Sequence, residues 1–112
     1  MDVYVANSDG YGAKFAELCE SLRVCANATP HFLLNNGFTN HDEPTLYYCR
    51  SIGPRDYHVS LNISIVKKTM EIDEICLLND EILQPCRCDK KDYNECKKYI
   101  DTLIGKGILE RA

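Results

Sequence analysis

The side chains with the most chemistry to offer in this chain are its seven cysteines and three histidines. Three of the cysteines fall within one stretch, Gln84 to Cys96, which reads QPCRCDKKDYNEC. A thiolate is both a metal ligand and a nucleophile, so the stretch raises two chemistries. In the first, Cys86, Cys88 and Cys96 are zinc ligands, with His31, His41 or His58 as the fourth. Structural zinc sites usually place two to four residues between paired cysteines, whereas C-x-C leaves one, and no second knuckle of suitable spacing is present. In the second, Arg87, Lys90 and Lys91 favour thiolate in a redox or nucleophilic role. The usual redox spacing, C-x-x-C, is missing. No spacing pairs a thiol with a histidine base, and neither G-x-S-x-G nor H-E-x-x-H occurs. The zinc-stabilised domain and the small thiol-dependent enzyme therefore stand as alternatives. The leading expectation is a non-catalytic binding domain without a cofactor.

The elements that would position these groups follow from hydrophobic period. Phe15, Leu18, Cys19, Leu22, Cys25 and Ala26 share one face of a helix, with Ser8 or Asp9 as its N-cap and Asn27 and Pro30 as its stop. Residues 31–44 read as a loop after a short strand at His31–Leu34, because NNGFTNHDEP is dense in turn formers. LYYCRSI and YHVSLNISIV then alternate with period two around GPRD, the signature of a hairpin. In the second of these strands Tyr57, Val59, Leu61, Ile63 and Ile65 take the core side. His58, Ser60, Asn62 and Ser64 take a wet side, as in an antiparallel sheet with one solvated face. A third strand is expected near Met70–Leu78, and a short fourth at Glu81–Gln84.

The final helix carries Tyr93, Cys96, Ile100, Leu103 and Ile104 on its apolar stripe. Asp92 and Glu95 form its start, and Gly105 follows its end. Ile108 and Leu109 dock back on the body. The expected fold is one α+β domain over residues 1–112: a two-layer sandwich. It consists of an antiparallel three- or four-stranded meander with an N-terminal and a C-terminal helix on one face.

That scaffold gives the cysteines a structural reading. Cys19, Cys25 and Cys96 lie on helical stripes, and Cys49 and Cys76 lie in strands, where a thiol packs as a small hydrophobe. Cys86 and Cys88, in a connector after Pro85, are expected to be partly exposed. VYVANSDGYGAKF has two glycines before a helix, but it lacks both the dinucleotide fingerprint and the P-loop lysine, so it is read as a turn.

Charge narrows the partners. A net charge of −4 disfavours nucleic acid and anionic membranes. KKDYNECKKYIDTLIGKGILER resembles the recognition helix and following turn of winged-helix DNA-binding domains. After Leu109, however, only three residues remain to form a wing, and six basic residues from Asp89 onward face five acidic ones. No run reaches the roughly 18 apolar residues of a spanning helix. The first ten residues lack a signal-peptide core, so a cytoplasmic protein is expected, with free cysteines rather than disulfides.

Tyrosine is enriched in interfaces because it joins apolar area to a polar tip. The expected binding site lies where the Asn36–Pro44 loop meets the hairpin, and its candidates are Tyr11, Phe38, His41, Tyr47 and Tyr57. The partner is a protein or small ligand. A homodimer is also expected, because an exposed strand in a short meander invites self-pairing.

Overall fold

The computed structural model describes residues 1–6, 10–42, 44–52 and 56–112. Its elements run β1 (Asp2–Tyr4), α1 (Tyr11–Glu20), β2 (Leu22–Val24), α2 (Pro30–Asn35), β3 (Thr39–Asp42), β4 (Thr45–Ile52), β5 (Tyr57–Val66), β6 (Thr69–Asn79), α3 (Lys90–Gly105) and β7 (Leu109–Arg111). The fold is α+β, as the alternation and helical stripes predict. β3 to β6 form an antiparallel meander, and β1 joins it in parallel beside β6, giving the order β1-β6-β5-β4-β3. β2 and β7 pair as a separate antiparallel ribbon.

The core sits on one side of the main sheet. Leu46, Val59, Leu61, Ile63, Ile75 and Leu77 meet Phe15 and Cys19 of α1 and Cys96, Tyr99, Ile100 and Leu103 of α3. An aromatic column runs through it, from Phe38 to Tyr48 (centroids 5.0 Å apart) and from Tyr48 to Tyr99 (5.7 Å). Such offset pairs add about 0.5–1.5 kcal/mol each beyond their area burial.

Several local expectations are corrected. The first helix ends at Glu20 rather than Ala26. Leu22 and Val24 are buried around an exposed Arg23. That spacing of two satisfies a strand as readily as a helical stripe, and the C-terminal residues supply the partner strand. Arg111 then donates to Ser21 Oγ at 2.9 Å and to the Leu18 carbonyl at 3.4 Å, satisfying the end of α1. The Ser8 or Asp9 cap lies outside the described residues, and the residue preceding α1 is Gly10.

Pro30 starts a helix instead of stopping one. Thr29 accepts from the Phe32 N–H at 3.1 Å as N-cap, and Pro30 occupies the first turn, where its missing N–H costs nothing. The strand expected at His31–Leu34 is therefore α2, and part of the expected loop is β3. Gly37 ends α2 with φ +93, and a Cβ there would stand 2.9 Å from Tyr48 Cε2. Only glycine meets both demands.

The strand expected at Glu81–Gln84 is a turn. The Asn79 side chain accepts from the Glu81 N–H at 2.9 Å and the Ile82 N–H at 3.3 Å, an Asx arrangement that bends the chain. The cap of α3 lies one turn earlier than Asp92. Asp89 accepts from the Lys91 and Asp92 N–H groups, and Asp92 accepts from the Asp89 N–H, a reciprocal capping box. Gly107, at φ +77, takes the left-handed position expected of Gly105. Ile108 and Leu109 are buried, as expected.

Candidate functional site

Every strand of the main sheet has two faces, and the helices cover one. Register defines what the other presents. One row across it reads Tyr4, Cys76, Ser60, Cys49, and the next reads Asp2, Glu74, Asn62, Tyr47, Thr39. Ser64 and Glu71 continue it toward the β5–β6 turn, and His58 and Leu78 toward the opposite end.

This face is partly closed to solvent. Ser60 is 3% exposed and Cys76 6%, although both lie on the side opposite the helices. Both Tyr4 and Tyr47 lie within electrostatic reach of Cys76. The Tyr47 hydroxyl also hydrogen-bonds Cys49. Burial first, and then Cys49, push it up to about 12. Tyr4 approaches from the edge and donates to Asp2 Oδ2 at 3.2 Å; that hydrogen bond, more than any other cause, raises it. Burial, then the Glu74 carboxylate, pushes the Cys76 thiol up to about 11, while Ser60 pulls the other way. Glu74 is fixed by Asn62, which donates at 2.6 Å. The face therefore carries a buried thiol and hydroxyl, Cys76 and Ser60, with Tyr4 and Tyr47 as neighbours and the Asp2 and Glu74 carboxylates in the adjoining row.

At the far end the expected wet face is closed. His58 is 8% exposed, and its Nδ1 pairs with Asp80 Oδ1, tying β5 to the turn after β6. A histidine expected at the surface is thus buried, because the Asp80 carboxylate reaches over it. Beyond Asp80 the turn presents Ile82 and Leu83, 62% and 66% exposed. Leu83 holds φ +51, and its N–H donates to the Asn79 carbonyl at 2.8 Å. A rigid turn therefore displays two aliphatic side chains to solvent.

The five expected site residues are dispersed. Tyr47 lies on the bare face. Phe38 is buried in the aromatic column. Tyr11 lies on the helical side, 5.8 Å from Tyr93 and 4.8 Å from Lys14 Nζ. Tyr57 is half-buried against the core at the start of β5. His41 falls in β3, but its side chain lies outside the described residues. The alternation of β4 identifies Tyr47. Tyr4 joins it only through the parallel pairing of β1, for which a short Val-Tyr-Val run gives no signal.

The thiols of the opening stretch are not exposed. The chain from Gln84 runs back along β6, with Asn79 N–H donating to the Gln84 carbonyl and Cys86 N–H to that of Leu77. Period two in this extended connector turns Cys86 and Cys88 inward and Arg87 outward. Cys96 hydrogen-bonds Cys88, which holds Cys88 low and, together with burial, drives Cys96 up. Burial pushes the neighbouring Cys19 up to about 12. Among the described residues no three His, Cys, Asp or Glu side chains are disposed to hold a metal ion, so the zinc alternative lacks a ligand set there.

The solved structures supply one likeness. The chain is similar to the crystal structure of a DUF1831 family protein from Lactobacillus plantarum, with a TM-score of 0.64 at 12% identity, over 81% of this chain and 86% of that one. At that identity the likeness shows the fold alone. No family model matches the chain, and no curated protein does. Among the described residues no helix is long and apolar enough to cross a membrane.

Proposed function

We propose that this chain is a small non-catalytic binding domain that takes a protein partner on the bare face of its sheet. The observation that carries this reading is the make-up of the bare face: Tyr4 and Tyr47 lie on it beside Ser60 and Cys76, and no helix packs on it. The exposed Tyr4 and half-buried Tyr47 offer amphipathic contact area at little entropic cost. Asp2, Glu71 and Glu74 share that face, so the partner segment is cationic. The raised Cys76 thiol stays protonated at neutral pH, which suits packing rather than nucleophilic attack. The test is quantitative affinity enrichment from the source organism's extract. Proteins retained by the wild-type chain are expected to fall at least tenfold with Tyr4→Ser/Tyr47→Ser, while the melting curve is kept. Equal retention by both chains overturns the assignment.

A separate observation favours a homodimer. β1 and β3 are only three and four residues long, and β3 pairs irregularly, features that guard sheet edges against pairing. Ile82 and Leu83, on their braced turn, give a copy of the chain an apolar contact that the edges do not. Multi-angle light scattering should then report a dimer for the wild type and a monomer for Ile82→Ser/Leu83→Ser. A wild-type monomer at the highest soluble concentration contradicts it. The seven free cysteines fit a reducing, cytoplasmic setting.

A further inference from the structure

A groove of about 680 Å³ runs between the connection leading from β2 to α2 and the hairpin joining β5 to β6. It lies away from the bare face, and its volume falls within the roughly 300–1,000 Å³ typical of small-molecule sites. Val24, Ile65 and Met70 line it with apolar surface, and Lys67 and Lys68 stand on the hairpin side. In a chain of net charge −4 these are adjacent cations, and among the described residues neither forms an ion pair. Lys67 also holds φ +58, a left-handed conformation that asparagine or glycine adopts at lower cost. A lysine at a turn position suited to Asn or Gly is a local conflict of the kind that marks functional sites. Across the groove, the Thr29 oxygen already accepts from the Phe32 N–H, which leaves its own hydroxyl proton to donate.

We propose that this groove binds a small amphiphilic anion. The apolar body of the ligand lies against Val24, Ile65 and Met70, and its carboxylate or phosphate head is held by Lys67, Lys68 and the Thr29 hydroxyl. Ammonium groups on adjacent residues of the turn make charge-assisted bonds to the anion, and the apolar floor disfavours the purely ionic competitors that any lysine pair would attract.

Cys25 lines the same groove and is half-buried, whereas Cys49 is exposed in β4, so thiol labelling reports occupancy. Titration of the full-length protein with decanoate and with octyl phosphate, each below its micelle concentration, separates the two head groups. Decanol and decyltrimethylammonium serve as neutral and cationic controls. The proposal expects at least one anion to bind saturably and to slow iodoacetamide labelling of Cys25 at least fivefold, with Cys49 unchanged. Lys67→Asn/Lys68→Gln should weaken that binding at least tenfold. Asn suits the left-handed position, so the variant keeps its fold, and circular dichroism verifies this; Lys67→Arg should retain binding. If neither anion protects Cys25, if decanol protects it equally, or if the double variant binds as the wild type does, the proposal is overturned.

Discussion

At the residue scale, Cys19, Cys86, Cys88 and Cys96 all pack as small hydrophobes within the core. Helical phase placed Cys19 and Cys96 in the core, where they are. Cys86 and Cys88, expected partly exposed in a connector after Pro85, are buried instead. Pairing of that connector with β6 is a long-range event, and its only local trace is the alternation from Pro85 to Cys88. Tyr99 offers a direct test of the core chemistry. Its ring completes the aromatic column, but its hydroxyl is buried with no hydrogen-bond partner among the described residues. An unsatisfied buried polar group costs about 1–3 kcal/mol. Tyr99→Phe keeps the ring and removes the group, so urea unfolding should show stability unchanged or raised by about 1 kcal/mol. A loss of more than that would mean the hydroxyl has a partner in solution.

At the element scale, the meander and the last helix were legible because period two and period 3.6 persist over many residues. The short elements were not. β2, α2 and β3 are three to six residues long, and each exists because another segment covers it. Leu22 and Val24 need β7, and α2 needs the aromatic column. Thr29-Pro30 was nonetheless a readable helix start that a stop signal displaced. The most constrained junction is Gly37, where the left-handed backbone and the Tyr48 ring leave no room for a methyl group. Tyr48 is held between Phe38 and Tyr99 and has nowhere to move. Gly37→Ala should therefore destabilise the protein by about 2 kcal/mol, the sum of strain and overpacking. A denaturation midpoint equal to that of the wild type would show that the end of α2 is looser than this.

At the scale of the whole molecule, Cys19 on the packed side and Cys76 on the bare side act on stability in the same direction. An unfolded cysteine ionises near 9.0, whereas Cys19 is pushed to about 12 in the core and Cys76 to about 11 on the bare face. Both groups favour the folded state in their protonated form. Their contribution is therefore whole below pH 9, and it is lost as pH rises toward 11–12, where the unfolded chain releases protons that the folded one retains. For Cys19 alone the loss is up to about 1.4 kcal/mol per pH unit in that window. Chemical denaturation should give a flat stability profile from pH 7 to 8.5 and a fall above pH 9. A rise in stability between pH 7 and 8.5 would instead place an ionised thiol in the folded state.

The fold divides the molecule into a side that packs against the helices and a bare side, the one proposed above to take a partner. Alternation in β4 and β5 distinguishes both sides, whereas the parallel pairing of β1 with β6 that brings Tyr4 to the second side leaves no local trace. The measurement that reaches this division most directly is site-specific photo-crosslinking in the source cell, with benzoylphenylalanine at position 47 and, separately, at Lys14 on the helical side. The account predicts a protein adduct from position 47 and none from position 14. Adducts from position 14 alone would put the working surface on the helices and contradict the assignment of the bare face.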